Sequence, residues 1–84
     1  MFTVRIEPSV EKRLDRLDST TRRRLLEKIR ELKDFPETSR NVVKMQGSVN
    51  AFRLRVGGWR ALFSVYWEIR EILVFDFDTR GRIY

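Results

Sequence analysis

The chain contains the segment Arg53-Leu54-Arg55-Val56-Gly57-Gly58-Trp59-Arg60-Ala61-Leu62-Phe63, in which two alternating runs of residues meet at a pair of glycines. Two adjacent glycines indicate a two-residue hairpin turn, because type I′ and II′ turns require positive φ. The segment therefore predicts two antiparallel strands whose register is fixed by the turn. The expected cross-strand pairs are Val56 with Trp59, Arg55 with Arg60, Leu54 with Ala61, Arg53 with Leu62, and Phe52 with Phe63.

This register divides the hairpin into two chemically different faces, because residues paired across strands point to the same side of a sheet. Arg53, Arg55 and Arg60 share one face, on which Arg55 and Arg60 oppose each other. Like charges in that arrangement destabilise a strand pair, so we interpret this face as an anion-binding surface. The alternative is that Asp76 and Asp78 neutralise the arginines as structural partners. The other face is apolar and should pack on helices; it consists of Phe52, Leu54, Val56, Trp59, Ala61 and Phe63.

The rest of the chain supplies helices before this hairpin and strands around it. Alternation predicts a strand over residues 2–7, closed by Pro8. Helical spacing of apolar residues predicts helices over residues 8–17 and 18–33, and Asp18, Ser19, Thr20 and Thr21 supply side-chain oxygens that can cap the start of the second helix. Short β-branched and aromatic runs then predict strands at 42–45, 51–56, 59–67 and 72–77. The order β-α-α-β-β-β-β indicates an α+β fold, with two N-terminal helices packed on a mainly antiparallel sheet.

The last hairpin is predicted from its polar loop, Glu68-Ile69-Arg70-Glu71. A loop with an odd number of residues would place Asp76 and Asp78 on the arginine face, whereas an even loop would bring Asp76 opposite the buried Phe63, at a cost in desolvation. We therefore expect the odd loop. Its register would give one shared apolar face to Phe63, Val65, Trp67, Leu73, Phe75 and Phe77.

Composition bounds the function further. The 84 residues fit one domain spanning 1–84, and the formal charge of +6 favours an anionic partner such as nucleic acid, although excess charge also keeps a small protein in solution. The absence of cysteine and histidine excludes disulfides, thiolate metal sites and the usual general base, so we expect no metal and no cofactor. No secretion signal or run of about 20 apolar residues is present, which predicts a cytoplasmic protein without a membrane segment.

The second predicted helix carries a basic outer face. This face could contact nucleic acid, but glutamates on the same helix offset its charge, so a solvated surface is the simpler interpretation. The face consists of Arg22, Arg23, Arg24, Lys28, Arg30 and Lys33.

Along nearly its whole length the chain resembles the RelE toxins. The resemblance rests on the order of elements, on Lys44-Met45-Gln46-Gly47, on the hairpin from Phe52 to Arg60, and on Arg80-Gly81-Arg82-Ile83-Tyr84. The family pattern runs roughly K-L-x-G, then Y-R-x-R-x-G-x-Y-R, then H/K-R followed by a tyrosine four residues after the arginine. Here Phe52 and Trp59 replace tyrosines, and Thr79 stands where a histidine or lysine often precedes the arginine.

RelE-type toxins cleave messenger RNA in the ribosomal A site and are held inactive by a cognate antitoxin, so the resemblance implies a RelB-like antitoxin and mRNA as partners. It also implies that Arg53, Arg55 and Arg60 bind phosphate and stabilise charge. Arg80 would add a basic group, and Tyr84 would stack on or orient a base. Lys44 and Arg82 are further RNA-binding candidates, although Arg82 has no counterpart in the family pattern.

The implied reaction is a metal-independent RNA cleavage in which the adjacent 2′-OH is the nucleophile. Guanidinium groups suit the stabilisation of phosphate charge but are poor bases, so positioning and electrostatics should dominate. Two other functions stay open: a ParE-type toxin that acts on DNA gyrase, and an inactive module that binds RNA or antitoxin. The basic set at Arg53, Arg55, Arg60 and Arg80 favours the nuclease.

Overall fold

A computed structural model describes residues 1–37 and 40–79. It confirms the α+β fold with two helices packed on one face of a five-stranded sheet. Among the described residues, no helix is long and apolar enough to cross a membrane. The elements are β1 (Thr3–Ile6), α1 (Pro8–Leu14), α2 (Ser19–Arg30), a 3₁₀ turn (Glu31–Asp34), β2 (Val42–Lys44), β3 (Ala51–Val56), β4 (Trp59–Tyr66) and β5 (Glu71–Thr79).

Both helices are shorter than their apolar spacing predicted. α1 ends at Leu14, and the amide of Leu17 donates to the carbonyl of Leu14 at 3.1 Å. This hydrogen bond spans three residues, as in a 3₁₀ turn, which is common at helix ends. α2 begins after Asp18, whose carboxylate accepts a 3.0 Å hydrogen bond from the Thr21 amide. Hydrogen bonding to Thr21 lowers the pKa of the Asp18 carboxyl because it stabilises the charged form. The capped helix start predicted over residues 18–21 is therefore confirmed, and Asp18 is its N-cap residue.

The strands lie in the order β1-β5-β4-β3-β2, and all adjacent pairs are antiparallel except β1 with β5. β1 runs parallel to β5, from Thr3 opposite Glu71 to Ile6 opposite Val74. The first strand of the chain thus pairs with the first half of the last strand, while β1 does not extend along the second half of β5.

The β3–β4 hairpin has the predicted register at every position, from Val56 opposite Trp59 to Phe52 opposite Phe63. Gly57 adopts a φ of 60°, as a two-residue turn of this kind requires. Its apolar face packs on the helices as expected, and Ala61 and Phe63 are fully buried there. Much of the remaining core comes from the helices, the 3₁₀ turn and β5, and includes Val10, Leu14, Leu25, Ile29, Leu32, Ile72, Val74 and Phe77.

The predicted register of the last hairpin is wrong. Tyr66 pairs with Glu71, so the loop spans four residues, 67–70, and Phe63 lies opposite Val74. Ile72 and Val74 therefore face the core, where Leu73 and Phe75 had been expected. A β-bulge then inserts Phe75, so that Leu62 pairs with Asp76 and Ala61 with Phe77. The bulge restores the expected placement of Phe77 in the core.

Candidate functional site

The sheet face turned away from the helices carries the predicted arginines. Arg55 lies directly opposite Arg60, and Arg53 lies opposite Leu62 on the same face. Val43 of β2 pairs with Arg53 and so continues this face to the edge of the sheet. The structure thus brings together the three arginines that the hairpin register had predicted.

These arginines line a cavity of about 230 Å³, to which we refer as the arginine cavity. Its walls are formed by Arg40, Asn41, Val43, Arg53, Arg55 and Arg60. Arg55 is exposed and Arg53 half-buried, while Arg60 is only 7% exposed. Burial on this scale is unusual for an arginine, and it makes Arg60 the least exposed of the three predicted arginines.

Arg40 is a member of this cavity that the sequence analysis missed. It precedes β2, and the carbonyl of its neighbour Asn41 accepts a 2.9 Å hydrogen bond from the Arg55 amide, so the backbone already runs alongside β3 just before β2 begins. The available signal was the pairing of β2 with β3, which brings residues just before Val42 alongside Arg55. The irregular stretch after Phe35 gave no alternation from which that pairing could be deduced.

The two aspartates of β5 occupy different environments. Asp78 lies opposite Arg60 across the β4–β5 pair, on the arginine face. Asp76 pairs with Leu62 and so lies on the arginine face as well, as predicted, but its carboxylate accepts a 2.6 Å hydrogen bond from Arg13 of α1. Asp76 is therefore the structural partner of an arginine, as predicted, but of one outside the predicted group.

The side chain of Arg13 contacts the second half of β5, which does not pair with β1. Its second guanidinium nitrogen donates to the carbonyl of Phe77 at 2.7 Å, and its central carbon lies 4.6 Å from the centre of the Phe77 ring. One side chain thus combines an ion pair, a backbone hydrogen bond and a cation–π contact. It fixes the strand segment that carries Asp78 to the helical layer.

Of the remaining predicted residues, the structure describes Lys44, which does not line the arginine cavity. Lys44 pairs with Phe52 at the end of β2, which places it on the opposite side of the sheet from Arg53. Arg80, Arg82 and Tyr84 lie outside the described residues. Their suggested roles stay predictions.

The arginine cavity is chemically suited to a phosphate group. Guanidinium groups present paired donors that match phosphate oxygens, and they stay charged throughout the physiological pH range. The described lining residues are arginines, an asparagine and a valine, so they provide positive charge and hydrogen-bond donors. The arrangement can bind an anion and stabilise charge that develops on it.

The family model for the ParE toxin of type II toxin–antitoxin systems, parDE, matches residues 4–84. The chain belongs to the RelE/ParE superfamily. It is accordingly a toxin of a type II toxin–antitoxin system. A search of curated protein sequences gives no match.

Solved structures place the chain beside RelE members of the superfamily. The RelE–RelB complex of Pyrococcus horikoshii contains a chain that is 30% identical, with a TM-score of 0.79, and the match covers 96% of this chain and 97% of that one. The isolated Escherichia coli RelE toxin is 21% identical, with a TM-score of 0.80 and coverage of 98% and 87%. A chain of the Methanococcus jannaschii RelB–RelE complex is 22% identical, with a TM-score of 0.75 and coverage of 95% and 94%. The last two similarities concern the fold.

Proposed function

We propose that this toxin is a ribosome-dependent endoribonuclease that cleaves messenger RNA in the A site and so stops translation. The observation that carries the proposal is the arginine cavity, in which Arg40, Arg53, Arg55 and Arg60 surround a volume of about 230 Å³. A cavity with this charge fits the phosphodiester of a single RNA strand. The structural similarity to RelE toxins supports the same assignment.

The proposed reaction needs no metal. The 2′-oxygen attacks the adjacent phosphorus while the bond from phosphorus to the 5′-oxygen breaks, which leaves a 2′,3′-cyclic phosphate and a free 5′-hydroxyl. Negative charge accumulates on the nonbridging oxygens in the transition state, where preorganised guanidinium groups stabilise it. The proton leaves the 2′-hydroxyl and a proton reaches the 5′-oxygen; Tyr84, by resemblance, or groups of the substrate and the ribosome carry these transfers.

A RelB-like antitoxin is the partner that fits this toxin. Chains similar to it were solved as RelE–RelB complexes, and its formal charge of +6 favours an acidic partner. An antitoxin that covers or distorts the arginine cavity would block access of RNA. Binding should therefore weaken at high salt and after charge reversal at Arg55.

A second candidate function is inhibition of DNA gyrase, because the family model that matches the chain describes the ParE toxin. The two candidates differ in target, so paired assays distinguish them. A gyrase poison would inhibit supercoiling in a purified gyrase reaction and leave messenger RNA intact. A nuclease would cleave messenger RNA on ribosomes and leave supercoiling by gyrase unchanged.

The decisive experiment incubates the purified toxin with translating ribosomes and maps the cut positions and the ends they carry. We expect cleavage with 2′,3′-cyclic phosphate ends, and a fall of about 100-fold or more for Arg60→Gln, the size of effect seen when one preorganised oxyanion donor is lost. Arg30→Gln, on the exposed surface of α2, is the matched control and should cleave at the parent rate. Circular dichroism should show that both variants are folded. A folded Arg60→Gln variant with full activity would contradict the proposed role of the cavity.

A further inference from the structure

In the fold, part of the basic outer face of α2 lies beside the β3–β4 hairpin. Arg24 and Lys28 line a second cavity, of about 240 Å³, together with Arg55 and Gly57 of the β3–β4 hairpin. Arg55 and Asn41 belong to the walls of both this cavity and the arginine cavity. The two volumes therefore adjoin, with the exposed side chain of Arg55 between them.

Arg24 is brought close to the hairpin turn by the packing of α2 on the sheet. A Cβ atom added to Gly57 would lie 3.1 Å from the Nη2 atom of Arg24, so the guanidinium reaches the turn backbone closely because glycine is there. This contact directs one arginine of the helix toward the hairpin. Its neighbour Arg23 is exposed and lines neither cavity.

The charge of the second cavity is positive. Arg24, Lys28 and Arg55 contribute three cations, and Glu27 is the acid in its wall. Lys28 also forms a 3.7 Å ion pair with Glu31, and both side chains are about half exposed, so water screens that pair. Arg24 and Arg55 are consequently the stronger pair of groups for an anion at this position.

We infer that the second cavity binds a backbone phosphate next to the one held in the arginine cavity, so that Arg24 and Arg55 guide the RNA strand over the β3–β4 turn. This inference rests on the proposed function and extends it to a second binding position. The ligand class is the same at both positions, a phosphodiester of single-stranded RNA. Arg55 contacts the strand between the two positions, which gives its exposed location on the sheet a role distinct from that of the buried Arg60.

The test compares Arg24→Gln with Arg23→Gln, two neighbouring arginines of one helix. Each variant is titrated against a hexanucleotide RNA made uncleavable by 2′-deoxy substitution, and against a dinucleotide that carries a single phosphodiester. We expect Arg24→Gln to bind the hexanucleotide roughly threefold to tenfold more weakly in dilute salt and to bind the dinucleotide as the parent does. The slope of log affinity against log salt should flatten by about 0.7, the value for one phosphate contact on a single strand.

Arg23→Gln should match the parent with both ligands. Equal affinities and slopes for the two variants would overturn the inference, as would an equal loss of Arg24→Gln affinity for the dinucleotide and the hexanucleotide. The cleavage assay on ribosomes separates this failure from failure of the proposed function. Cleavage by the parent with unchanged KM for Arg24→Gln would overturn the second position alone, whereas a parent that cleaves no messenger RNA on ribosomes would overturn both.

Discussion

The two hairpins of this toxin share strand β4 but differ in how firmly the sequence defines them. The β3–β4 pair has the register expected from its two glycines at every position, whereas the β4–β5 pair has a four-residue loop and a bulge at Phe75. A two-residue turn leaves a single register open to its strands. A longer polar loop leaves several, and packing then decides among them.

The pattern of β5 itself explains why sequence could not resolve that choice. Ile72, Leu73, Val74 and Phe75 are four consecutive apolar residues, so no alternation indicates which of them face the core. In the fold, Ile72 and Val74 are fully buried under the helices, and the bulge then returns Phe77 to that side. Strands with uniform composition therefore take their register from their neighbours.

Deleting one residue from each hairpin should produce the largest contrast. Loss of Arg55 would turn Phe52 and Leu54 to the arginine face and push Arg53 against the buried Ala61. Each displaced apolar side chain lowers the free energy of unfolding by about 1.5–3 kcal/mol, and a buried arginine lowers it by several more. The sum approaches the whole free energy of unfolding of a typical domain, which is about 5–15 kcal/mol. We expect this variant to lack a cooperative melting transition.

Loss of Phe75 should be tolerated, because it removes the extra residue of the bulge and leaves Leu62 opposite Asp76. We expect a folded protein that melts somewhat below the parent, since Phe75 is only half-buried. Thermal melts followed by circular dichroism compare the two deletions. An unfolded Phe75 deletion alongside a folded Arg55 deletion would reverse the conclusion drawn from the hairpins.

The glycine turn offers a smaller test of what sets the β3–β4 register. Gly57 has a φ of 60°, so Gly57→Ala should cost about 1–2 kcal/mol and lower the melting temperature by roughly 5–15 °C. Gly58→Ala is the matched control, because a Cβ there meets no described atom within 4 Å, and it should change stability by less than about 0.5 kcal/mol. Equal losses from the two substitutions would show that the backbone angle at Gly57 is not the constraint.

The smallest expected effect compares the two halves of β5. Arg13→Gln removes the contacts to Asp76 and Phe77. It should lower the free energy of unfolding by about 1 kcal/mol, because water screens only part of a charge-assisted hydrogen bond at a partly exposed site. Arg5→Gln removes a 3.2 Å pair with Glu71 whose arginine is 64% exposed, and should cost less than about 0.5 kcal/mol. Amide hydrogen exchange of β5 should speed up after Phe77 in the first variant only. Exchange that becomes equally faster along the whole of β5 would contradict a local stabilising effect of Arg13.

The candidate site was predictable to the extent that local register defines it. Arg53, Arg55 and Arg60 followed from one turn and the alternation beside it. Arg40 and Arg13 could not follow in this way, because one lies after an irregular stretch and the other contacts Asp76 at a separation of 63 residues. Contacts between distant segments leave no periodic signal in a single sequence.

The parallel pairing of β1 with β5 has a consequence for the order in which the protein forms. Arg5 and Glu71, which meet across this pair, are 66 residues apart in the chain, so the contact closes a loop that includes every other element. Such long-range closure is entropically costly and is slow relative to local hairpin formation. During synthesis, β1 cannot pair within the sheet until β5 has been made. A toxin with this topology cannot assemble its finished sheet on the ribosome that is still making it until β5 has been translated.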